Sequence, residues 1–496
     1  MKRRQPLTVY IIIAVLLGGI SCRKEFIFNN LNLDIRFSAD TLYLDTIFNG
    51  LNSSTRVLKV FNNANEGILI EKVALARGEE SWYRLNVNGI SGKAVERVEI
   101  GPRDSMYIFV EITPLSNALE LLYVDSILFS SGGSTRYVHL VSLVSDAYFH
   151  FPDRYIPQFG LPYSLAPCNT TLPNDKPHVI YGYWVIDSLC TLTILPGTRL
   201  HFHSGSGIWV YNGGSLKVDP DNLGSYDNPV IFEGDRLEPF YKEIPGQWGG
   251  ALGGIFLMGG SIDNVINNAF IKNGTIGIVL DSLDSPDPNT KITNTRLYNF
   301  SRVGLLGGFG SAEVVSTVVA NCGLYCFYAL GGRYSFTFTT FANYWNQNAR
   351  STPAVAITNF FEDINRNIQV RDIHKADFSS CIIYGSNNQE LGILRAPSAN
   401  GGVLEYFFRN SLLRVDPDTS KRGFNVSNPL VFQDCKINLN PRFRDVSQNN
   451  YLPDSLSPVI DQAFFDDAVR YPLDIRRKFR SNGGLPDMGA YEYYEN

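Results

Sequence analysis

Four side chains in one short stretch of the sequence have the chemistry to hold a ligand at a protein surface: His201, His203, Trp209 and Tyr211. Each alternates with aliphatic or phenylalanine side chains, and successive residues of a β-strand face opposite sides of a sheet. Because the apolar neighbours must take the interior, all four candidates are predicted to point outwards. Aromatic faces suit stacking on sugar rings, whereas two histidines are too few ligands for a zinc site. Sugar contact is therefore favoured over metal binding. Outward aromatic residues that hold neither ligand are commoner than both.

Three aspartates in a second stretch offer the oxygen ligands that calcium prefers: Asp281, Asp284 and Asp287. Their spacing does not reproduce an ordered ligand loop, and the neighbouring Pro286 and Pro288 favour a polar turn instead. No cofactor is therefore expected, and calcium is the one metal that these residues would suit.

The element that must position these residues is a sequence repeat. Asn273, Asn299, Asn321 and Asn343 follow one another at spacings of about 26, 22 and 22 residues, within the range of solenoid proteins. Before each asparagine stand a bulky apolar residue and, two positions earlier, a small one: Ile271, Leu297, Val319 and Phe341, and Ala269, Thr295, Thr317 and Thr339. The period is too short for a helical hairpin repeat. It predicts coils of three short strands whose inward side chains stack in ladders.

The recurring asparagine is predicted to have a structural role. Asparagine tolerates the left-handed backbone that a sharp corner needs, and its amide can bond to the amides of asparagines in adjacent coils. We therefore expect Asn273, Asn299, Asn321 and Asn343 to form a ladder along one corner of the solenoid.

Two motifs beside the repeat resemble a known superfamily. Leu192-Thr193-Ile194-Leu195-Pro196-Gly197-Thr198 and Gln247-Trp248-Gly249-Gly250 resemble segments of the pectate-lyase-like superfamily. The resemblance implies an all-β protein built on a right-handed parallel β-helix, which we place at residues 179–455.

Two regions precede the predicted β-helix. Residues 32–148 contain short alternating segments separated by Asn, Gly and Pro turns, which predict a small immunoglobulin-like β-sandwich and resemble domains of the Hydin type. The proline-rich residues 149–178 predict a linker, because proline cannot donate a hydrogen bond to a sheet.

The C-terminal residues 456–496 are similar to the choice-of-anchor Q module of bacterial β-helix proteins. The resemblance lies in Ser457-Pro458-Val459-Ile460-Asp461 and Pro486-Asp487-Met488-Gly489-Ala490-Tyr491-Glu492-Tyr493. We predict that this segment caps the last coil, whose strand edges and apolar end would otherwise be exposed.

The β-helix superfamily includes lyases and glycosidases, which keeps catalysis open as an alternative. The Gly-His-Gly and Arg-Ile-Lys pieces typical of its glycosidases do not occur in the sequence. Asp466 and Asp467 are adjacent, and neighbouring residues of a strand face opposite ways, so no shared site is expected there. The residues therefore favour binding over catalysis.

The N-terminus predicts export and lipidation. Residues 1–21 combine three basic residues with an apolar run of roughly 14 residues, shorter than the roughly 20 that span a membrane, and indicate a signal peptide. Gly19-Ile20-Ser21-Cys22 resembles a bacterial lipobox, which implies an acylated Cys22, a tether at 22–31 and attachment to a membrane. Arg23 occupies a position where aspartate accompanies inner-membrane retention in some bacteria, so the resemblance implies the outer membrane.

Composition narrows the remaining choices. The chain has 496 residues and a net charge of −5, which gives no electrostatic basis for binding nucleic acid. Besides Cys22 it has an even number of cysteines, whose pairing the sequence leaves open. We therefore predict a cell-envelope lipoprotein with a non-catalytic β-helix that binds glycan or acts as a surface scaffold. The alternatives are a lyase or glycoside hydrolase acting on an acidic polysaccharide, and an adhesive or structural protein with a protein partner.

Overall fold

The computed structural model describes residues 28–29, 34–48, 52–115, 122–237, 241, 243–281, 287–418, 423–481 and 484–495. The chain divides into two compact units, Met1–Asp146 and Ala147–Asn496. The predicted signal peptide and the lipidation site Cys22 lie outside the described residues. Within the predicted tether, Phe28–Asn29 forms a short strand that pairs with Gly67–Leu75.

The first unit is a β-sandwich. One sheet has six strands: Phe28–Asn29, Thr41–Phe48, Gly67–Leu75, Ala94–Ile100, Leu122–Ser131 and Ser134–Ser145. The other has five: Ile35–Phe37, Arg56–Asn62, Tyr83–Val87, Ile90–Gly92 and Ser105–Ile112. Within Ser105–Ile112 every second side chain, from Met106 to Ile112, is buried in the core of this unit. Period-two alternation of apolar residues therefore forms the sandwich, as the sequence predicts.

The second unit is a solenoid of three sheets, which confirms the predicted parallel β-helix. Their strands pair in parallel from coil to coil, and Arg154–Ile156 adds one antiparallel strand beside Leu161–Leu165. Sheet 1 consists of Tyr148–His150, His178–Ile180, Arg199–Phe202, Val230–Gly234, Ala269–Lys272, Arg296–Phe300, Val318–Cys322, Thr340–Asn343, Ile382–Gly385, Leu412–Leu413 and Lys436–Ile437. Sheet 2 consists of Arg154–Ile156, Leu161–Leu165, Tyr183–Ile186, Gly207–Val210, Ile255–Leu257, Ile276–Leu280, Val303–Gly307, Tyr325–Leu330, Val355–Thr358 and Leu391–Leu394. Sheet 3 consists of Thr170–Leu172, Thr191–Ile194, Ser215–Val218, Asn264–Asn267, Thr290–Thr293, Ser311–Val315, Gly332–Thr337, Ile373–Ser379, Phe407–Arg409 and Phe432–Gln433.

Several shorter elements lie outside these sheets. Two antiparallel hairpins join Phe360–Glu362 to Ile368–Val370 and Phe443–Asp445 to Asn450–Pro453. The helix α1 spans Phe465–Arg470. Single 3-10 turns occur at Gly78–Glu80, Pro157–Phe159, Ser398–Asn400 and Val446–Gln448.

The predicted apolar column is part of the solenoid core. It runs in register through Ile271, Leu297, Val319, Phe341 and Ile383. All five side chains are fully buried. Each such burial contributes about 1.5–3 kcal/mol of hydrophobic stabilisation, which favours this register over a slip by one residue.

The predicted column of small residues supplies side-chain hydrogen bonds at the corner between sheets 3 and 1. The residue before each member has a left-handed backbone: Asn294, Ser316, Phe338, Ser380 and Asn410. The member itself carries a hydroxyl or thiol that donates to the carbonyl two residues earlier: Thr295, Thr317, Thr339, Cys381 and Ser411. The corner therefore favours a small residue that donates, and Cys381 has a structural role in this column. Ala269 fills the equivalent position after the left-handed Asn268 without a side-chain donor.

The asparagine corner between sheets 1 and 2 is more varied than the predicted ladder. Asn273, Asn299 and Asn321 have left-handed φ angles of 64°, 64° and 52°. Asn299 donates to Asn273 Oδ1 at 2.7 Å. Asn321 instead donates to Asn449 Oδ1 at 2.6 Å, and Asn343 pairs with the backbone N–H and carbonyl of the preceding coil, both at 3.0 Å. The side chains therefore satisfy polar groups of the fold, but two of the four do so outside the column.

The structure corrects the predicted linker at 149–178, because these residues form the first coil. The parallel pairs are Tyr148–His150 with His178–Ile180, Leu161–Leu165 with Tyr183–Ile186, and Thr170–Leu172 with Thr191–Ile194. Five of the six prolines of this segment lie between the strands, where a missing N–H interrupts no ladder. A disulfide joins Cys168 to Cys190 and so links the first coil to the second.

The structure also corrects the predicted cap at 456–496, since the C-terminal residues lie along the side of the solenoid. We name the described residues of 441–495 the C-terminal clasp. Within it, Tyr451, Ile475 and Ala490 pack against Val318 and Ala320 on the outward face of sheet 1. That face is apolar in the middle coils, and the clasp removes it from water.

Arg480 anchors the clasp in the middle of the solenoid. Its fully buried guanidinium donates to the carbonyls of Gly489 and Ala490 and to Ser316 Oγ, at 3.0 to 3.2 Å. It also lies over the Phe338 ring, 3.7 Å from the ring centroid. Burial lowers the pKa of Arg480 to about 10, which leaves it charged at neutral pH. The Arg480 side chain therefore links the backbone of the clasp to the corner between sheets 3 and 1.

We expect Arg480→Met to lower the free energy of unfolding by about 3 kcal/mol, because it leaves buried carbonyls without a donor. Equilibrium denaturation measures this, and hydrogen exchange should become faster at the clasp amides. The control is Lys478→Ala, an exposed clasp residue near the Tyr494 ring, for which we expect a change within about 0.5 kcal/mol. Equal effects of the two substitutions would contradict the anchoring role.

A histidine pair joins the first coil to the second, with His150 half-buried and His178 buried. His150 Nε2 lies 3.0 Å from His178 Nδ1, and the His150 ring lies 4.1 Å from the Trp184 ring, centroid to centroid. Burial lowers the pKa of His150 to about 4, with His178 as a second cause, and burial also lowers the pKa of His178. Both histidines are therefore neutral in the folded protein at neutral pH.

Protonation of this pair should open the first coil. An unfolded histidine titrates near pH 6.5, so the stability of this coil is complete above that pH and falls as the pH drops towards 4, by up to about 1.4 kcal/mol per pH unit for each histidine. Hydrogen exchange of Tyr148–His150 and Trp184 fluorescence, both followed against pH, measure the effect. His150→Phe should flatten the dependence. His203→Phe is the contrast, because the hydrogen bond to Asp235 raises the pKa of His203 and gives a contribution of opposite sign.

Candidate functional site

The four predicted ligand-binding residues fall on two sheets. His201 belongs to a strand of sheet 1 and Trp209 to a strand of sheet 2, with His203 and Tyr211 just beyond the ends of those strands. All four flank inward apolar residues, as the alternation predicts. The chain turns a corner between the two pairs, so they face different sides of the solenoid and do not make one patch.

His201 points outwards but is covered by its neighbours. Its side chain is only 5% exposed, and its Nδ1 lies 3.7 Å from Glu233 Oε1. Glu233 Oε2 in turn lies 3.1 Å from Lys272 Nζ. Burial lowers the pKa of His201, against the opposing effect of Glu233. His203 is half exposed, with Nδ1 at 2.7 Å from Asp235, so both histidines already have acidic partners.

Trp209 belongs to an apolar surface of sheet 2. It pairs in register with Val185 and Phe256, which also point outwards. Tyr211 is 38% exposed and contacts the Trp209 ring edge to face, with 5.7 Å between centroids. Of the four candidates, Tyr211 therefore offers the most accessible aromatic face.

The three candidate calcium ligands do not assemble in the described part of the chain. Asp281 is half-buried at the end of a sheet 2 strand, where burial raises the pKa of its carboxyl and Arg371 opposes the rise. Asp287 lies in a groove on sheet 3, and Asp284 lies outside the described residues. Within the described ranges, no group of three or more His, Cys, Asp or Glu side chains could hold a metal ion.

A concave surface rich in charged side chains lies on the outward face of sheet 3. One column of this face presents Lys217, Val265, Lys291, Glu313, Ser335, Asp377 and Phe407 on successive coils. Part of it lies in a groove of about 680 Å³, which we name the sheet 3 groove. Its charged side chains are Asp287, Lys291, Glu313, Lys375, Asp377, Arg409, Asp467 and Arg470.

The C-terminal clasp provides one wall of this groove through helix α1. Asp467 of α1 accepts hydrogen bonds from Ser379 Oγ and Ser380 Oγ, at 2.5 and 2.8 Å. Arg470, at the end of α1, donates to Glu313 Oε1 at 2.8 Å. The groove is therefore formed by residues from two distant parts of the sequence.

The carboxylates of the groove differ in the hydrogen bonds and ion pairs that they already make with neighbouring side chains. Glu313 accepts from both Arg470 and Tyr471, and Asp467 accepts from two serines. Asp377 faces the groove with Lys375 at 3.6 Å. Burial raises the pKa of Asp377, and Lys375 opposes this rise. Asp287 and Lys291 are exposed and Asp377 is partly exposed, so these three charges are accessible to a ligand.

Sequence reasoning missed most of these residues. Lys291, Glu313 and Ser335 recur at the same spacing of about 22 residues as Asn299, Asn321 and Asn343, so extending the repeat to the third strand could have found that column. Asp466 and Asp467 were expected not to share a site because neighbouring strand residues face opposite ways, and Asp467 was predicted on a strand. It lies instead on α1, where the helical turn directs it towards sheet 3.

Comparison with known proteins gives no family assignment. The chain matches no family model, and no curated protein matches its sequence. Among solved structures, it is similar to the catalytic domain of a GH87 α-1,3-glucanase in complex with nigerose, with 11% identity, a TM-score of 0.19, and coverage of 73% of this chain and 81% of that one. It is also similar to a family 123 glycoside hydrolase from Clostridium perfringens, with 11% identity and a TM-score of 0.16, but spans only 25% of that chain. At these scores neither likeness identifies an activity, and the choice-of-anchor Q resemblance stays a prediction.

We expect Asp467→Asn to loosen the α1 wall, because it removes the charge that two serine hydroxyls and Arg409 engage. The expected loss in the free energy of unfolding is about 1–2 kcal/mol, since hydrogen bonds to a charged group are stronger than neutral ones. Hydrogen exchange of the α1 amides should become faster. Asp466→Asn makes the same change at the adjacent, exposed position and should have little effect, and equal effects at both positions would disprove the assigned contacts.

Proposed function

We propose that this protein is a cell-envelope lipoprotein whose β-helix binds a polysaccharide along the sheet 3 groove without cleaving it. The observation that supports the proposal is the outward column of sheet 3. In it, Lys291, Glu313, Ser335 and Asp377 occupy one position in four successive coils. Donors and acceptors therefore recur along the axis of the solenoid.

A linear polymer suits this arrangement physically. Adjacent strands are about 4.8 Å apart, so a chain lying along the axis meets a new polar side chain at each coil. Sugar hydroxyls both donate and accept hydrogen bonds, which lets them use lysine and carboxylate side chains alike. Hydrogen bonds to charged groups contribute about 1.5–3 kcal/mol each. Because the polar side chains recur on successive coils, the groove favours a polymer whose sugar units also repeat.

The partners of the carboxylates favour binding over catalysis. A general acid or base must exchange a proton with the substrate. Glu313 and Asp467 are instead engaged by Arg470, Tyr471 and serine hydroxyls of the groove itself.

A lyase or glycoside hydrolase acting on an acidic polysaccharide is the second candidate, and one observation favours it. Burial raises the pKa of Asp377, and a raised pKa is what a catalytic general acid requires. The same groove would then hold the reacting bond, and a cleavage assay separates the two candidates.

The proposed location rests on the N-terminal sequence. An acylated Cys22 would attach the protein to a membrane, with the outer membrane as the proposed site. No helix among the described residues is long and apolar enough to cross a membrane.

We expect the full-length protein, purified in detergent, to bind immobilised polysaccharides from a panel of acidic and neutral polymers without shortening them. Retention measures binding. Ultraviolet absorbance of new unsaturated ends, with and without calcium, detects a lyase, and new reducing ends detect a hydrolase. Lys291→Ala should weaken binding about ten- to a hundredfold, the effect of losing one charge-assisted hydrogen bond.

Lys72→Ala is the matched control, an exposed lysine on a strand of the sandwich. It should leave retention unchanged. New sugar ends would replace the binding proposal with the catalytic candidate. Absence of retention by every polymer would overturn both candidates and favour a protein partner.

A further inference from the structure

A second groove, of about 740 Å³, lies on the outward face of sheet 1. We name it the sheet 1 groove. Its floor is formed by the half-buried Phe270, whose ring meets the buried Tyr298 ring edge to face with 5.4 Å between centroids. The Arg296 guanidinium lies over the Phe270 ring, 4.7 Å from its centroid. Tyr344 and Trp345 lie on one side, just after strand Thr340–Asn343. The aromatic base of the groove is therefore the partly exposed surface of Phe270 and Tyr344, which can contact the C–H face of a ring.

Primary amides surround this aromatic base. They come from sheet 1, from the segment after Trp345, and from the 3-10 turn of the clasp: Asn299, Asn321, Asn346, Gln347, Gln448 and Asn449. An amide offers both a carbonyl acceptor and an N–H donor. The groove can therefore pair with hydroxyl groups, which also donate and accept.

Some of these amides hold the groove in shape, and others are available. Asn321 donates to Asn449 at 2.6 Å, which ties the clasp to sheet 1. Asn346 and Gln448 are exposed on two different segments. The Gln448 side chain makes no hydrogen bond within the described ranges, so its amide is free to meet a ligand.

The two cations beside the floor are already engaged. Lys272 Nζ lies 3.1 Å from Glu233 and 3.6 Å from Glu243. Arg296 donates to the Tyr226 carbonyl at 2.8 Å and lies over the Tyr226 ring, 4.0 Å from the centroid. An anionic ligand would have to compete with these contacts, so the groove favours an uncharged one.

We infer that the sheet 1 groove is a binding site for an uncharged saccharide. Its aromatic floor matches the apolar face of a sugar ring, and its amides match the hydroxyls at the ring edge. This site goes beyond the proposed function, because it lies on another sheet and shares no residue with the sheet 3 groove. It would give the protein a second, independent contact with glycan.

Calorimetric titration of the full-length protein in detergent tests the site. The probes are cellohexaose, xylohexaose, mannohexaose and N-acetylchitohexaose, with a polygalacturonate oligomer as the anionic comparison. We expect at least one neutral probe to bind more tightly than the anionic one. The double substitution Asn346→Ala with Gln448→Ala should weaken that binding about tenfold, as expected for two lost hydrogen bonds.

Gln158→Ala is the matched control, since Gln158 is also an exposed glutamine in a single 3-10 turn of this unit. It should leave the affinity unchanged, and thermal unfolding should show that all variants are folded. Lys291→Ala should also leave it unchanged, which separates this site from the sheet 3 groove. The inference is overturned if no neutral probe binds, if the double variant binds as the wild type does, or if Lys291→Ala abolishes the binding.

Discussion

In-register hydrogen bonding between successive coils is the constraint on which the rest of this solenoid depends. Each parallel strand pairs with its counterpart one coil away, so residues at equivalent positions become neighbours about 4.8 Å apart. Inside, this brings Ile271, Leu297 and Val319 into one apolar column. Outside, the same register lines up Lys291 and Glu313. The register that packs the core therefore also produces a repeating surface.

The C-terminal clasp converts two flat sheets into grooves. Its helix α1 adds a wall to sheet 3 through Asp467, and its 3-10 turn adds a wall to sheet 1 through Gln448. The clasp is held by buried polar groups as well as by apolar contacts. Burial, reinforced by Asp487, raises the pKa of Glu492 to about 9, so this carboxyl is protonated at neutral pH and avoids an unpaired buried charge. Both candidate sites thus depend on one C-terminal segment.

Much of the fold could be predicted from particular residues, and most of the candidate sites could not. The spacing of Asn273, Asn299 and Asn321 was enough to predict the three-stranded coil, because a ladder needs like residues at like positions. His201 shows the limit. Its outward orientation follows from alternation, but its burial depends on Glu233 from the next coil. Alternation determines which way a side chain points and leaves open what covers it.

The sequence by itself determined the all-β class, the coil period, the inward column and the left-handed corners, because each depends on residues close together in the chain. Only the tertiary structure decided that residues 149–178 form a coil and that the C-terminal segment lies along the side. It also decided which charges share a groove, as Glu313 and Arg470 do across 157 residues. The physical reason is that local periodicity fixes strands and their faces, whereas the packing of distant segments depends on complementary surfaces that exist only after the solenoid has formed.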